Sequence, residues 1–359
     1  MKRIVITIAA CATMIAASCQ KTVIDNKTEE PAVQKSEVTI NLGQAATRAV
    51  IEDTAEEAKV KSIQIFIFNG EALDAYKSAT AEETAALSVE VTATTGIRDI
   101  QVYCNAPDLS RYSTKTSVLD AVSRLADNET DSYVMRGFLE DQTLGVTHSC
   151  NIDVERYVSR IRINKITRDF SSTALQDADF QIRRIYLTSV VTNILYGGSA
   201  PDTYEWINAS FGSETAIATS EPFVCKVLDT PAEIANSASH NSSYSFYAYP
   251  NTHDIDDTSV PAGFRRTRLV VECQIDVDKN GTYDSDEFFT YPISIGALES
   301  NRSYEISELT LTRLGNHSDG DEINDPGEDD DITGSSAQFT IMVTDWTQVL
   351  VGESGTVTI

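Results

Sequence analysis

The sequence predicts an all-β protein built as two tandem sandwiches, and three observations predict it. Apolar and polar residues alternate with period two over many short runs, the mark of half-buried strands. Clusters rich in Gly, Pro, Asn, Asp and Ser separate those runs, with neither a βαβ alternation nor a long helical array between them. The chain has 359 residues, 41% of them hydrophobic, which is enough for two cores rather than one.

The first element is an export signal. Lys2 and Arg3 precede a run from Ile4 to Ser18 without charge, the layout of a basic start, an apolar stretch and small residues before a cut. Its fifteen residues fall short of the roughly 20 that a spanning helix needs. Residues 1–18 therefore read as a cleaved signal peptide. Ala16-Ala17-Ser18 before Cys19 resembles a lipobox, although Leu is usual where Ala16 stands. Cys19 is the expected lipid attachment, against an ordinary cut near Ser18 that leaves a stray thiol. Each buried methylene of an acyl chain contributes about 0.8 kcal/mol of membrane affinity, so several chains hold a protein on an outer membrane. Gln20 to Ser36 is polar, lacks a hydrophobic period and reads as a tether.

The chain carries 28 basic and 54 acidic residues, a net charge of −26. Loss of residues 1–18 removes Lys2 and Arg3 and no acid, which takes the charge to −28. Such a surface repels nucleic acid and anionic membrane.

The strands follow in order. Val38 to Leu42 alternates, as do Ile63 to Ile67 before the Asn69-Gly70 turn, Leu87 to Val91, and Ile100 to Cys104 before Asn105-Ala106-Pro107. A helix is expected where Thr116 or Ser117 caps Val118, Leu119, Val122 and Leu125 at helical spacing. Val154 to Ile166 is the next strand region, with Tyr157, Ser159, Ile161 and Ile163 on one face. The polar patch from Arg168 to Gln176 marks a domain boundary. Further strands are expected over Gln181 to Thr192, Phe223 to Leu228, Tyr244 to Tyr249, Thr267 to Ile275, Phe288 to Ile295, Ser303 to Arg313 and Gln338 to Asp345.

Other chemistry is sparse. No HExxH, GxSxG, phosphate-loop or dinucleotide fingerprint occurs, and His148, His240, His253 and His317 lack ligand spacing. The expectation is a protein that is not an enzyme and requires no cofactor. Cys104, Cys150, Cys225 and Cys273 contain no CxxC; an exported compartment permits disulfides, and buried free thiols in strands are the alternative. Asp276, Asp278, Asn280, Thr282, Asp284 and Glu287, with Gly281, fit the twelve-residue calcium-loop pattern. Strands rather than helices flank it, so a polar hairpin turning at Asn280-Gly281 is the competing reading, and calcium is the one candidate cofactor. Asp319 to Asp331 holds eight acids and no base and reads as a solvated loop before the last strand.

These runs together resemble the Bacteroidetes-type fimbrillins, the major fimbrial subunits of the FimA and Mfa kind. The pieces that carry the resemblance are Ile63 to Gly70, Val102 to Pro107, Tyr133 to Gly137, Val154 to Ile161, Phe246 to Asn251, Thr267 to Val271, Tyr291 to Ile293, Asn301 to Ile306 and Val343 to Trp346, in that order. The resemblance implies two transthyretin-like sandwiches, a lipidated precursor carried to the cell surface, and an Arg-specific cut in the loop after the first strand. It also implies that the vacated groove is filled by the C-terminal strand of the next subunit. On that reading residues 19–48 are tether and removable strand, with the cut between Arg48 and Ala49; a plain loop arginine is the alternative. Residues 49–168 form the N-terminal sandwich and 169–359 the C-terminal one. Segment 338–359 supplies the donor strand, Phe339, Ile341 and Val343 facing one way and Met342, Thr344 and Trp346 the other; an ordinary final strand of the same domain is the alternative. The expected role is a structural subunit of a surface fimbria that supports adhesion, with related subunits as partners and a host or bacterial surface ligand beyond them. A tip adhesin, a base anchor and a monomeric glycan-binding lipoprotein are the rival roles.

Overall fold

Period-two alternation becomes sheet wherever each face finds cover. The protein was analysed as a computed structural model, which describes residues 34–43, 57, 59–209, 215–253, 257–259, 265–318, 322–323, 337–346 and 351–352. The first sandwich opposes two sheets. One has Lys35–Gly43 in its middle, antiparallel to Ser88–Thr94 and parallel to Thr147–Asp153. The other is antiparallel throughout, in the order Glu155–Arg156, Met135–Leu144, Gly96–Cys104, Ile63–Asn69, Ala72–Ser78. Val38, Ile40 and Val91 of the first sheet meet Ile65, Ile67 and Val102 of the second in one core.

The second sandwich also opposes two sheets. Cys225–Glu233, Phe180–Thr188, Arg268–Ile275, Phe288–Ser294 and Asn316–Ser318 follow one another, all antiparallel. Facing them, Arg302–Leu311 takes Ser159–Ile163 and Ile166–Arg168 in parallel and Ala337–Asp345 antiparallel. Ile163, Phe246 and Leu309 pack against Ile182, Val271 and Ile293.

That core does not stop at the second sandwich. It continues onto the outer face of the first, where Phe66, Phe68 and Tyr103 lie under Val118, Leu125 and Tyr196. Ile63 to Phe68 is therefore buried on both faces, and its polar member is satisfied: Gln64 donates to the carbonyls of Ala106 and Pro107 and accepts from the Leu109 amide and the Tyr76 hydroxyl. Buried amides of this kind persist because their partners replace water.

The all-β class stands, and particulars differ from the sequence reading. Ser159–Ile163 and Ile166–Arg168 belong by pairing to the second sandwich, so the change of sheet falls between Arg156 and Ser159 rather than after Arg168. The expected helix is only Lys115–Leu119, capped by Thr114; Val122–Arg124 pairs instead with Asn193–Leu195, a partner that helical spacing cannot reveal. A second short helix, Ala81–Ala86, follows the capping box of Thr80 and Glu83. Among the described residues no helix is long and apolar enough to cross a membrane.

The second sandwich also buries a charge pair between neighbouring strands. Arg184 donates through Nε and Nη2 to Glu272 Oε2 at 2.9 and 2.7 Å, and both side chains are almost fully enclosed. Glu272→Ala strips that carboxylate from a desolvated guanidinium, and a loss of about 3–5 kcal/mol is expected. Urea unfolding of the two proteins measures it.

Candidate functional site

Two strands and one loop carry the residues singled out from the sequence. Lys35–Gly43 holds seven register pairs with Ser88–Thr94 and seven with Thr147–Asp153, so both edges of its backbone are satisfied. Val38 and Ile40 are buried in the core between the sheets, while Leu42 packs at its margin. Among the described residues, no other strand lies between Ser88–Thr94 and Thr147–Asp153. Cys19, Arg48 and Ala49 lie outside the described residues.

The C-terminal strand sits differently. Ala337–Asp345 pairs with Arg302–Leu311 of its own chain, at the border of that sheet, with a register shift between Ile306 and Leu309. Its apolar side chains remain largely in water: Phe339 is 38%, Met342 47% and Val343 53% exposed, and Ile341 is half-buried. Its backbone is paired along its length and Ile341 packs against the core, while full burial is confined to its ends. Ala337 is buried, Asp345 forms an ion pair with Arg302, and Trp346 is fully enclosed.

Trp346 is the centre of a buried polar and aromatic cluster. Its amide donates to the Asn301 carbonyl at 3.0 Å, and its ring lies 4.1 Å from the Arg156 guanidinium and 4.8 Å from that of Arg160. Tyr247 stacks on it at 5.8 Å, and Tyr133 meets it edge-on at 5.9 Å. Glu57 joins the cluster, accepting from Arg160 Nη1 at 2.9 Å and from the Tyr247 hydroxyl at 2.7 Å. Glu57, Arg156 and Arg160 are not among the site residues expected from the sequence. Glu57 stands in an acidic polar run, and the two arginines alternate with apolar residues as solvent-facing ones do; nothing local marks them.

The loop from Asp276 to Glu287 gathers carboxylate oxygens of Asp276, Asp278 and Glu287 within 4.8 Å of one another. The turn is held by amides: Asn280 and Gly281 donate to Asp276, Val277 and Asp278 to Glu287 Oε1, and Asp284 to Glu287 Oε2. Those hydrogen bonds hold the Asp276 carboxyl below its ordinary range against a burial that opposes it. Gly281 adopts φ +83°, the left-handed turn that favours glycine. Asn280 bonds to Asp278 and Asp284, and Thr282 donates to Asn280. As expected, strands flank the loop. The donor set fits a hard oxygen-seeking cation.

The four cysteines among the described residues are free; Cys104, Cys225 and Cys273 are buried and Cys150 is partly so. Burial pushes the Cys104 thiol up to about 12 and that of Cys225 to about 11, which leaves them unreactive as nucleophiles.

Residues 36–153 match the family model of the major fimbrial subunit protein (FimA). The fimbrillin resemblance stands on that match, which runs from Lys35–Gly43 to the end of Thr147–Asp153 in the first sandwich. Solved structures of similar fold include a FimA fimbrilin from Porphyromonas gingivalis, at TM-score 0.63 and 15% identity over 88% of this chain and 98% of that one. A candidate cell adhesion protein from Parabacteroides distasonis gives 0.62 and 16% over 88% and 98%. One from Bacteroides eggerthii gives 0.60 and 16% over 88% and 97%. At such identities the likeness to these structures is one of fold. Comparison with the curated proteins gave no match.

Proposed function

We propose that the chain is a structural subunit of a cell-surface fimbria that polymerises by strand exchange after its first strand is cut away. The observation that carries this reading is Lys35–Gly43, a middle strand whose removal opens one sheet on both sides, with Arg48 five residues past its end. A sheet so opened exposes unpaired N–H and C=O groups and an apolar groove, which an incoming strand satisfies together. Ala337–Asp345 suits that task, because it lies at a sheet border with apolar side chains on both faces still exposed. The fimbrillin match over the first sandwich supports the same role.

The cycle then runs from export through the signal in residues 1–18, lipidation at Cys19 and surface display to the cut after Arg48. Electron microscopy of concentrated protein treated with an Arg-specific protease tests it: filaments are expected, and monomers alone would count against it. The N-terminal residue of fibre-bound protein then places the subunit. Ala49 means shaft or tip, and lipidated Cys19 means base.

We also infer that the loop 276–287 takes calcium. Asp276, Asp278, Asn280, Asp284 and Glu287 supply side-chain oxygens and Thr282 a carbonyl. The ion would stiffen the hairpin and take no part in assembly chemistry. A ligand at 100 times its Kd stabilises the folded state by about 2.7 kcal/mol. The melting temperature of the full chain is expected to rise with added calcium chloride and not with magnesium chloride, and Asp276→Asn with Glu287→Gln is expected to abolish the rise. A midpoint indifferent to calcium contradicts it.

A further inference from the structure

Beyond its pairing with Arg302–Leu311, the C-terminal segment is fastened to its own chain at two further points, and both lead to the same short stretch. Trp346 is wedged between Arg156, from the first sandwich, and Arg160, from the second. Both arginines reach Glu57: Arg160 pairs with its carboxylate, and Arg156 Nη2 donates to its carbonyl at 2.8 Å. Past Trp346, Val351–Gly352 pairs in parallel with Lys59–Val60. Residues 57–60 thus hold the tail once through the buried cluster and once through backbone pairing. Glu57 lies nine residues downstream of Arg48.

We propose that Glu57–Val60 is a latch that keeps the C-terminal strand docked on its own subunit, and that loss of the first strand weakens this latch. The inference rests on the strand-exchange reading above. The physical case has three parts. Between its ends the strand is held mainly by backbone pairing to Arg302–Leu311, since Phe339, Met342 and Val343 stay partly in water and full burial is confined to Ala337 and Trp346. A cation over an indole contributes about 2 kcal/mol or more when both are desolvated, and here two guanidiniums flank one fully enclosed ring. Each guanidinium is held over that ring by Glu57, one through the carboxylate and one through the backbone.

The consequence concerns order. In the uncut chain the latch is continuous with Lys35–Gly43, which is fixed in its sheet on both sides. After a cut at Arg48 the same stretch lies close to a free end, and chain ends open more readily than tethered segments. One event would then both vacate the acceptor slot and loosen the donor strand. Uncut subunits would keep their tails docked and remain monomeric.

Hydrogen exchange on the full, uncut chain tests the latch without requiring assembly. Glu57→Gln removes the charge that holds Arg160, and Trp346→Leu removes the wedge while leaving Glu57 in place. In both variants the amides of 338–345 are expected to exchange about tenfold faster, while those of 180–188 and 268–275 keep their rates. Unchanged rates in 338–345 for both variants would overturn the latch. So would an equal acceleration in 180–188, which would make the cluster part of the global fold. If the variants loosen the tail as expected but clipped protein forms no filaments, the latch stands and the fimbrial reading falls.

Discussion

Deletion of residues 338–359 is expected to leave exported, folded monomer and no filaments at any concentration. The fold survives because Trp346 is the one fully buried residue among 338–346, and apart from it and the partly buried Ile341 both cores are built from other elements. Polymerisation fails because the same deletion removes the only strand proposed to fill a neighbour's slot. Seated in a groove, Phe339, Ile341, Met342 and Val343 would lose the exposure they retain at the sheet border. Fully burying a large apolar side chain contributes about 1.5–3 kcal/mol, so completing a half-finished burial adds on the order of 1 kcal/mol for each. Backbone pairing and the apolar groups beyond Trp346 add to that. Circular dichroism of the truncated chain checks the fold and negative-stain microscopy checks the fibres; normal filaments from the truncation would falsify the donor role.

Arg48→Ala is expected to be as severe by a different route. Lys35–Gly43 satisfies both neighbouring strands and buries Val38 and Ile40 in the core. A donor segment cannot displace it without first breaking seven register pairs on each side, all within one chain and at high effective concentration. The uncut protein is therefore expected to accumulate as a stable precursor, a few kilodaltons heavier than the mature subunit, with filament yield falling to background. Mass spectrometry of surface protein reads the outcome. A precursor clipped as usual in this variant would mean that the cut lies elsewhere.

How much of this was legible in the sequence depends on how local the determining contact is. Ile63 to Phe68 and Arg268 to Ile275 are strands that alternation and β-branched residues announce by themselves. The short helix at Ala81 is not among the expected elements: Thr80 and Glu83 form a capping box with both hydrogen bonds made, but the six residues carry no apolar stripe to mark them. Val122 and Leu125 misled because their spacing suits a helix, while Val122–Arg124 is drawn off to pair with residues some seventy positions away. The domain boundary slipped for the same reason: Ser159–Ile163 takes partners at Tyr244–Ala248 and Ser303–Ile306, which no local pattern discloses. Glu57 is the extreme case. It is an acid in an acidic run, and it is buried only because two arginines and a tyrosine from distant strands converge on it. The calcium-loop pattern, in contrast, is contiguous, and three of its carboxylates do come together.

The most direct test of strand exchange is a cryo-electron microscopy map of filaments grown from protein cut after Arg48. The account predicts residues 338–345 of one subunit lying between Ser88–Thr94 and Thr147–Asp153 of the next, in the place of the lost Lys35–Gly43. A filament in which Ala337–Asp345 still pairs with its own Arg302–Leu311, and subunits join through some other surface, would contradict it.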